Sequence, residues 1–251
     1  MFRSLPRLFA VTALFVAPSL AAHAQVPGFT PAQKTEIIKI IRDALKTDPS
    51  ILREAVGSLQ ADDDSRQAKA TAQNLQAKHD ALFGDATDHS AGNPHGNVTL
   101  IEFYDPRCGF CRRSIPGIAE IIKHDPQLRL IYKDIPVLGP PSKIEASAIL
   151  AAGKQNAYLP MQALLMAQSA PPDEALLRAD AKHLDLNADK LIADMKSPEI
   201  ASKLDANLKL ARDIGITGTP TFVIGDQLLP GVQDIGELTA AIAAARVAHH
   251  S

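Results

Sequence analysis

The run Val98-Thr99-Leu100-Ile101-Glu102-Phe103-Tyr104-Asp105-Pro106-Arg107-Cys108-Gly109-Phe110-Cys111 decides how this chain folds. Its first seven residues are rich in β-branched and aromatic side chains and read as a buried strand. Asp105-Pro106 turns the chain, and Ile115, Ile118, Ala119 and Ile122 then recur at helical spacing, so a strand hands over to a helix at Cys108. A helix start carries unpaired N–H groups and partial positive charge, which favour a thiolate there. Cys108 and Cys111 are the only cysteines in 251 residues. A structural bridge between them would close a loop of about four residues and remove little entropy from the unfolded chain. A zinc site would need further ligands at metal spacing, and no second Cys pair or His-x-x-x-His partner exists. Thiol–disulfide chemistry is the reading that remains.

The N-terminus points to a compartment that suits such chemistry. Arg3 and Arg7 precede an apolar stretch from Leu8 to Leu20 that is too short to span a bilayer, and Ala22-His23-Ala24 forms a small-x-small cleavage site. Residues 1–24 are therefore expected to be a signal peptide. No other segment has the length and apolarity of a span, so the expectation is an exported, soluble protein, periplasmic in a Gram-negative host. A hydrophobic content of 46% supports one good core with an appendage, and a net charge of −2 gives no electrostatic footprint for nucleic acid.

Upstream of the strand, Thr30-Pro31-Ala32-Gln33 reads as a capping box with proline at the first helical position, opening a helix that stops near Thr47. Asp48-Pro49 repeats the signal for a second, short helix with Leu52, Ala55, Val56 and Leu59 on its inner stripe. From Ala61 to Leu82 a thin seam of Ala61, Ala68, Leu75 and Leu82 recurs every seven residues. Residues 25–83 thus form a helical N-terminal region too small for a core of its own. Its stripes could pack on the main domain or on copies of themselves. Residues 84–97, with Gly92, Pro94 and Gly96, read as a linker or irregular edge.

Downstream, Leu128 to Lys133 forms the second strand of a βαβ unit, which requires a parallel pair. Residues 142–214 are helical throughout, interrupted by prolines, and read as an insert. Thr221 to Ile224 and Gln227 to Leu229 flank Gly225-Asp226 as a hairpin, and an amphipathic helix from Ile235 to Val247 closes a domain spanning 98–251.

At Phe103 to Cys111 and at Gly218-Thr219-Pro220-Thr221 the chain resembles the thioredoxin superfamily, and within it the DsbA-like proteins; the helical leader resembles the N-terminal domain of the ScsC subgroup. The resemblance implies an α/β thioredoxin fold with an inserted helical domain, preceded by a helical oligomerisation arm that is trimeric in some family members. It implies Cys108 as nucleophile and Cys111 as the resolving thiol, together forming the redox-active disulfide. Pro220 matches the family's cis-proline, with Thr219 presenting backbone groups to a substrate peptide and Phe110 on the same substrate side. Glu102 matches the buried acid that shuttles a proton to Cys111, and Lys133 its basic partner on the next strand; a solvent-facing Glu102 stays open from alternation alone. Between the cysteines, Gly109-Phe110 replaces the Pro-His of strongly oxidising DsbA proteins, which favours a milder exchanger, either oxidase or isomerase. The partners implied are protein or peptide thiols and disulfides, a membrane redox partner of unknown identity, and further copies of the chain; neither a cofactor nor a metal is called for. Two other readings use the same residues: a Cu(I)-binding copper-tolerance protein, whose soft thiolates suit that ion, and a peptide-binding chaperone indifferent to its cysteines. Arg107, Arg112 and Arg113 are candidates for lowering the Cys108 pKa, His89 and His95 are too isolated to make a metal site, and Met161 and Met166 read as helix core.

Overall fold

A computed structural model describes residues 28–248; the expected signal peptide lies outside the described residues. The chain forms two compact units that divide after Leu59. In the first unit, helix α1 (Pro31–Thr47) starts with the expected capping box: the Thr30 hydroxyl accepts from the Gln33 N–H while the Gln33 side chain accepts from the Thr30 N–H. α1 buries none of its side chains. Helix α2 (Ser50–Ala77) runs without interruption through the place where two helices were expected. Its interior holds no proline, and Gly57 alone costs only about 1 kcal/mol, too little to break a helix of that length.

In the second unit, the end of α2 and the short helix α3 (His79–Phe83) contribute Leu75 and Leu82 to a core shared with Ile101, Phe103, Ile131 and Val223. The C-terminal half of the seven-residue seam therefore packs inside this unit, whereas Ala61 and Ala68 are exposed.

A five-stranded sheet organises this unit in the order β1-β3-β2-β4-β5. β2 (Val98–Tyr104) and β3 (Leu128–Asp134) pair in parallel through helix α4 (Gly109–His124), as the βαβ reading requires. β4 (Thr221–Ile224) runs antiparallel to β2, and β5 (Gln227–Pro230) follows it as a hairpin. Part of the expected linker is in fact strand β1 (His89–Gly92), antiparallel to β3 at the sheet edge. Four residues without apolar alternation carry no strand signal, because this edge is held by main-chain pairing. Gly92 ends it at φ +73°, where a Cβ would lie 2.4 Å from the Leu128 carbonyl.

The insert consists of α5 (Pro140–Gly153), α6 (Tyr158–Ala167), α7 (Glu174–His183), α8 (Ala188–Met195) and α9 (Pro198–Asp213). Asp173, Asn187 and Ser197 cap the last three through their side chains. With α4 and the final helix α10 (Ile235–Ala248), these helices contribute apolar side chains to one core that includes Leu100 and Tyr104 of β2. Met161 and Met166 are buried in that core.

Candidate functional site: a dithiol over a buried carboxylate

Asp105 builds the turn that presents the cysteines. Its fully buried carboxylate accepts hydrogen bonds from the main-chain N–H groups of Arg107, Val137 and Leu138 and from the Ser142 hydroxyl, at 2.7 to 3.0 Å. Four donors on one carboxylate fix the strand-to-helix handover against the loop that leads into the insert. Cys108 is then the N-cap of α4, with its N–H bonded to the Asp105 carbonyl at 3.0 Å.

The Cys108 thiol donates to the Thr219 carbonyl at 3.3 Å, and the Thr219–Pro220 peptide bond is cis. The two sulfurs are unbridged. Cys108 is 5% exposed, more enclosed than a free-standing nucleophile, because the turn before Pro220 lies against it. Phe110 stands out at 57% exposed, with the Arg113 guanidinium 4.2 Å from its ring centroid. Cys111, one turn into α4, is fully buried. That burial, with the negative charge of Glu102 nearby, holds its thiol well above the ordinary thiol range. Cys111 is therefore a thiol that needs a base before it can attack.

Glu102 is the group placed to serve. It is 4% exposed, and desolvation raises its carboxyl to about 8 against an ordinary 4.5. The Ser114 hydroxyl offsets this only slightly. It lies 3.5 Å from Glu102 Oε1 and gives its one proton at 2.8 Å to the Cys111 carbonyl instead.

Lys133 does not join this site. In the parallel register Glu102 sits opposite Tyr132, and Lys133 sits opposite Phe103 on the other face of the sheet. Its ammonium bonds Asp88 at 2.5 Å and the Ala81 carbonyl at 2.8 Å, in a buried network that also takes in Lys203. The strand neighbour of Glu102 is a phenol, so no cation from β3 opposes the cost of ionising it.

The arginines divide three ways. Arg107 turns away from the sulfur to bond Glu145 at 2.6 Å and the carbonyls of Ser169 and Ala170, tying the active-site turn to α5 and the α6–α7 connection. Burial raises the Glu145 carboxyl, and Arg107 and then Arg112 pull it back. Arg113 covers Phe110. Among the described residues no group of three or more His, Cys, Asp or Glu side chains could hold a metal ion. Sequence reasoning missed Asp105, Glu145 and Tyr132; only Asp105, in an Asp-Pro turn, carried a local signal.

This arrangement coincides with a family pattern. A family model described as thioredoxin matches residues 84–244, and one described as the copper resistance protein ScsC N-terminal domain matches residues 33–64. A thioredoxin-like oxidoreductase from Silicibacter pomeroyi is 36% identical, with a TM-score of 0.64, covering 67% of this chain and 97% of its own. ScsC of Proteus mirabilis, in a transitional conformation, is 30% identical with a TM-score of 0.63, covering 87% of this chain and 97% of its own. The Na(+)/H(+) antiporter NhaA 1 of Salinispora arenicola is 28% identical over 160 residues, which are 63% of this chain. The match spans about a quarter of that curated relative's length, 24%.

Proposed function

The chain belongs to the thioredoxin superfamily and, within it, to the DsbA-like, ScsC-type branch, and on that premise we propose that it is an exported thiol–disulfide oxidoreductase acting on protein disulfides. The observation that carries the reading is the pairing of Cys108, bonded to the Thr219 carbonyl beside a cis-proline, with Cys111 above the buried Glu102 carboxyl. In the oxidising direction a substrate thiolate attacks Cys108 Sγ and the Cys108–Cys111 bond breaks. Its electron pair goes to Cys111, which takes the proton from Glu102, and a second substrate thiolate then displaces Cys108. In the reverse direction Glu102 accepts the Cys111 proton and the freed thiolate resolves the mixed disulfide. Thr219 and Pro220 offer an extended peptide a main-chain edge, and exposed Phe110 offers it an apolar contact.

Isomerase activity on an oligomeric scaffold is favoured over simple oxidation. Support comes from the missing histidine between the cysteines and from the first unit, where Ile38, Ile40, Leu52 and Leu59 are each more than half exposed. Such a surface fits a second or third copy of the chain. Periplasmic residence and a membrane protein that resets the dithiol complete the proposal. Replacing Cys108 with alanine should abolish both insulin reduction and refolding of scrambled ribonuclease. Retention of both activities would refute it. The Cu(I) reading draws on the two unbridged sulfurs and on the name of the N-terminal family model. Stoichiometric tight binding in an anaerobic copper titration, with negligible exchange activity, would favour it instead.

A further inference from the structure

A second buried carboxylate lies on the same face of the sheet as Glu102. Asp134 ends β3 at 1% exposed, between Tyr104 of β2, 1% exposed, and Tyr158 of α6, 4% exposed. Three oxygen–oxygen contacts close a ring: Tyr104 Oη to Asp134 Oδ1 at 2.7 Å, Tyr158 Oη to Asp134 Oδ2 at 2.9 Å, and Tyr104 Oη to Tyr158 Oη at 2.9 Å. Each contact at such a distance is a hydrogen bond and needs a proton. The two phenols supply two. An ionised Asp134 supplies none and leaves one contact as two facing lone pairs. A protonated Asp134 satisfies all three: its hydroxyl donates to Tyr158, Tyr158 donates to Tyr104, and Tyr104 donates back to Asp134.

The ring borders the space beside Glu102. A cavity of about 100 Å³, room for a few water molecules, is lined on one side by Glu102, Tyr104, Tyr132 and Gln162 and on the other by apolar side chains of α4 and by Met166. Tyr104 belongs both to the ring and to the wall of this cavity, which Gln162 and Glu102 also line, so the ring, the cavity and Glu102 are contiguous. We propose that Asp134, Tyr104 and Tyr158 form a buried proton store that exchanges with Glu102 across this cavity, linking the protonation of Asp134 to the redox state of the dithiol.

Desolvation places the Asp134 carboxyl at about 6, below Glu102 at about 8, so a proton moves from Asp134 to an ionised Glu102 downhill. The groups facing the ring come from each packed element. Lys203 of α9 lowers Asp134 by its charge, and Asn207 of α9 binds only the Asp134 main-chain carbonyl. His89 of β1 stacks on Tyr158 at 4.2 Å, and Tyr132 of β3 meets Tyr104 edge-on. When the Cys108–Cys111 bond breaks, Cys111 takes the Glu102 proton. Asp134 then refills Glu102 and is left ionised until solvent restores it; the opposite direction returns the proton.

The inference rests on the thiol–disulfide reading but is tested without a protein substrate. Infrared spectra of the full-length protein, poised as dithiol or disulfide with glutathione, are titrated and the protonated-carboxyl band of Asp134 is followed. Asp134→Asn assigns the band by its loss, and Tyr158→Phe, which removes one ring hydroxyl, assigns it by a shift should the first variant not fold. The expected result is a band that titrates near pH 6 with different midpoints in the two redox states, a difference that linkage makes reciprocal and that Glu102→Gln abolishes. Equal midpoints, a midpoint difference that survives Glu102→Gln, or the absence of an Asp134 band at pH 5 would each overturn it. Failure of the Cys108→Ala assays would instead strike the exchange activity and leave these spectra readable.

Discussion

Replacing Glu102 with glutamine should make the protein more stable at alkaline pH while impairing its chemistry. In the folded state the carboxyl titrates at about 8 instead of 4.5, because burial is opposed only by a distant serine hydroxyl. Below about pH 4.5 folded and unfolded chains both hold this proton and it contributes nothing to the balance. As pH rises the unfolded chain releases the proton and the folded chain retains it, so stability falls at about 1.4 kcal/mol per pH unit until about pH 8. Across that interval the loss amounts to roughly 5 kcal/mol. Glutamine carries no such dependence, and its amide, buried with few partners, costs about 1–3 kcal/mol at every pH. The variant is expected to be no more stable than the parent near pH 4.5 and more stable by a few kcal/mol above pH 8, a gap read from urea unfolding of both proteins under reducing conditions. A gap that does not change between these pH values would refute the buried, uncompensated state of Glu102.

Three further outcomes follow from other parts of the fold. Lys133→Met should destabilise by about 3–5 kcal/mol in urea, since it strips one cation from the buried Asp88, yet leave insulin reduction by the folded protein unchanged. A large loss of activity would return Lys133 to the site. Arg107→Ala should cost about 3–5 kcal/mol by leaving Glu145 buried and unpaired, and adding Glu145→Gln should recover part of it; no recovery in the double variant would deny the pair its role. A chain starting at Gln60 should be monomeric by light scattering and keep the parent's thermal midpoint. One starting at Gly84 loses the buried Leu75 and Leu82, worth about 3–6 kcal/mol together, and should unfold earlier; equal midpoints would show that α2 contributes nothing to the core.

The strand before Cys108, the crossover and the hairpin after Pro220 were legible because each has a local signal: β-branched runs, helical recurrence of Ile115 and Ile118, and a Gly-Asp turn. Lys133 shows where such signals stop. Alternation along Leu128 to Lys133 separates the faces of that strand, but which face meets Glu102 depends on the register of a parallel pair, which sets Glu102 beside Tyr132 and Phe103 beside Lys133 and is a relation between two strands rather than a signal within either. Asp134 was missed for a related reason. Its partners come from residues 30 positions earlier and 24 later, and no spacing rule connects them. β1 was invisible because an edge strand of His-Ser-Ala-Gly is defined by the neighbour it pairs with.

The three tyrosines of the ring and its border have an optical consequence. The chain contains no tryptophan, and Tyr104, Tyr132 and Tyr158 are its only tyrosines. All three rings lie within 6 Å of a neighbour in this one cluster. Nearly all of the protein's near-ultraviolet absorbance, emission and circular dichroism therefore originates beside Glu102. A carboxylate hydrogen-bonded to a phenol quenches its emission, so the unlabelled molecule carries its own chromophore at the place where its protons move.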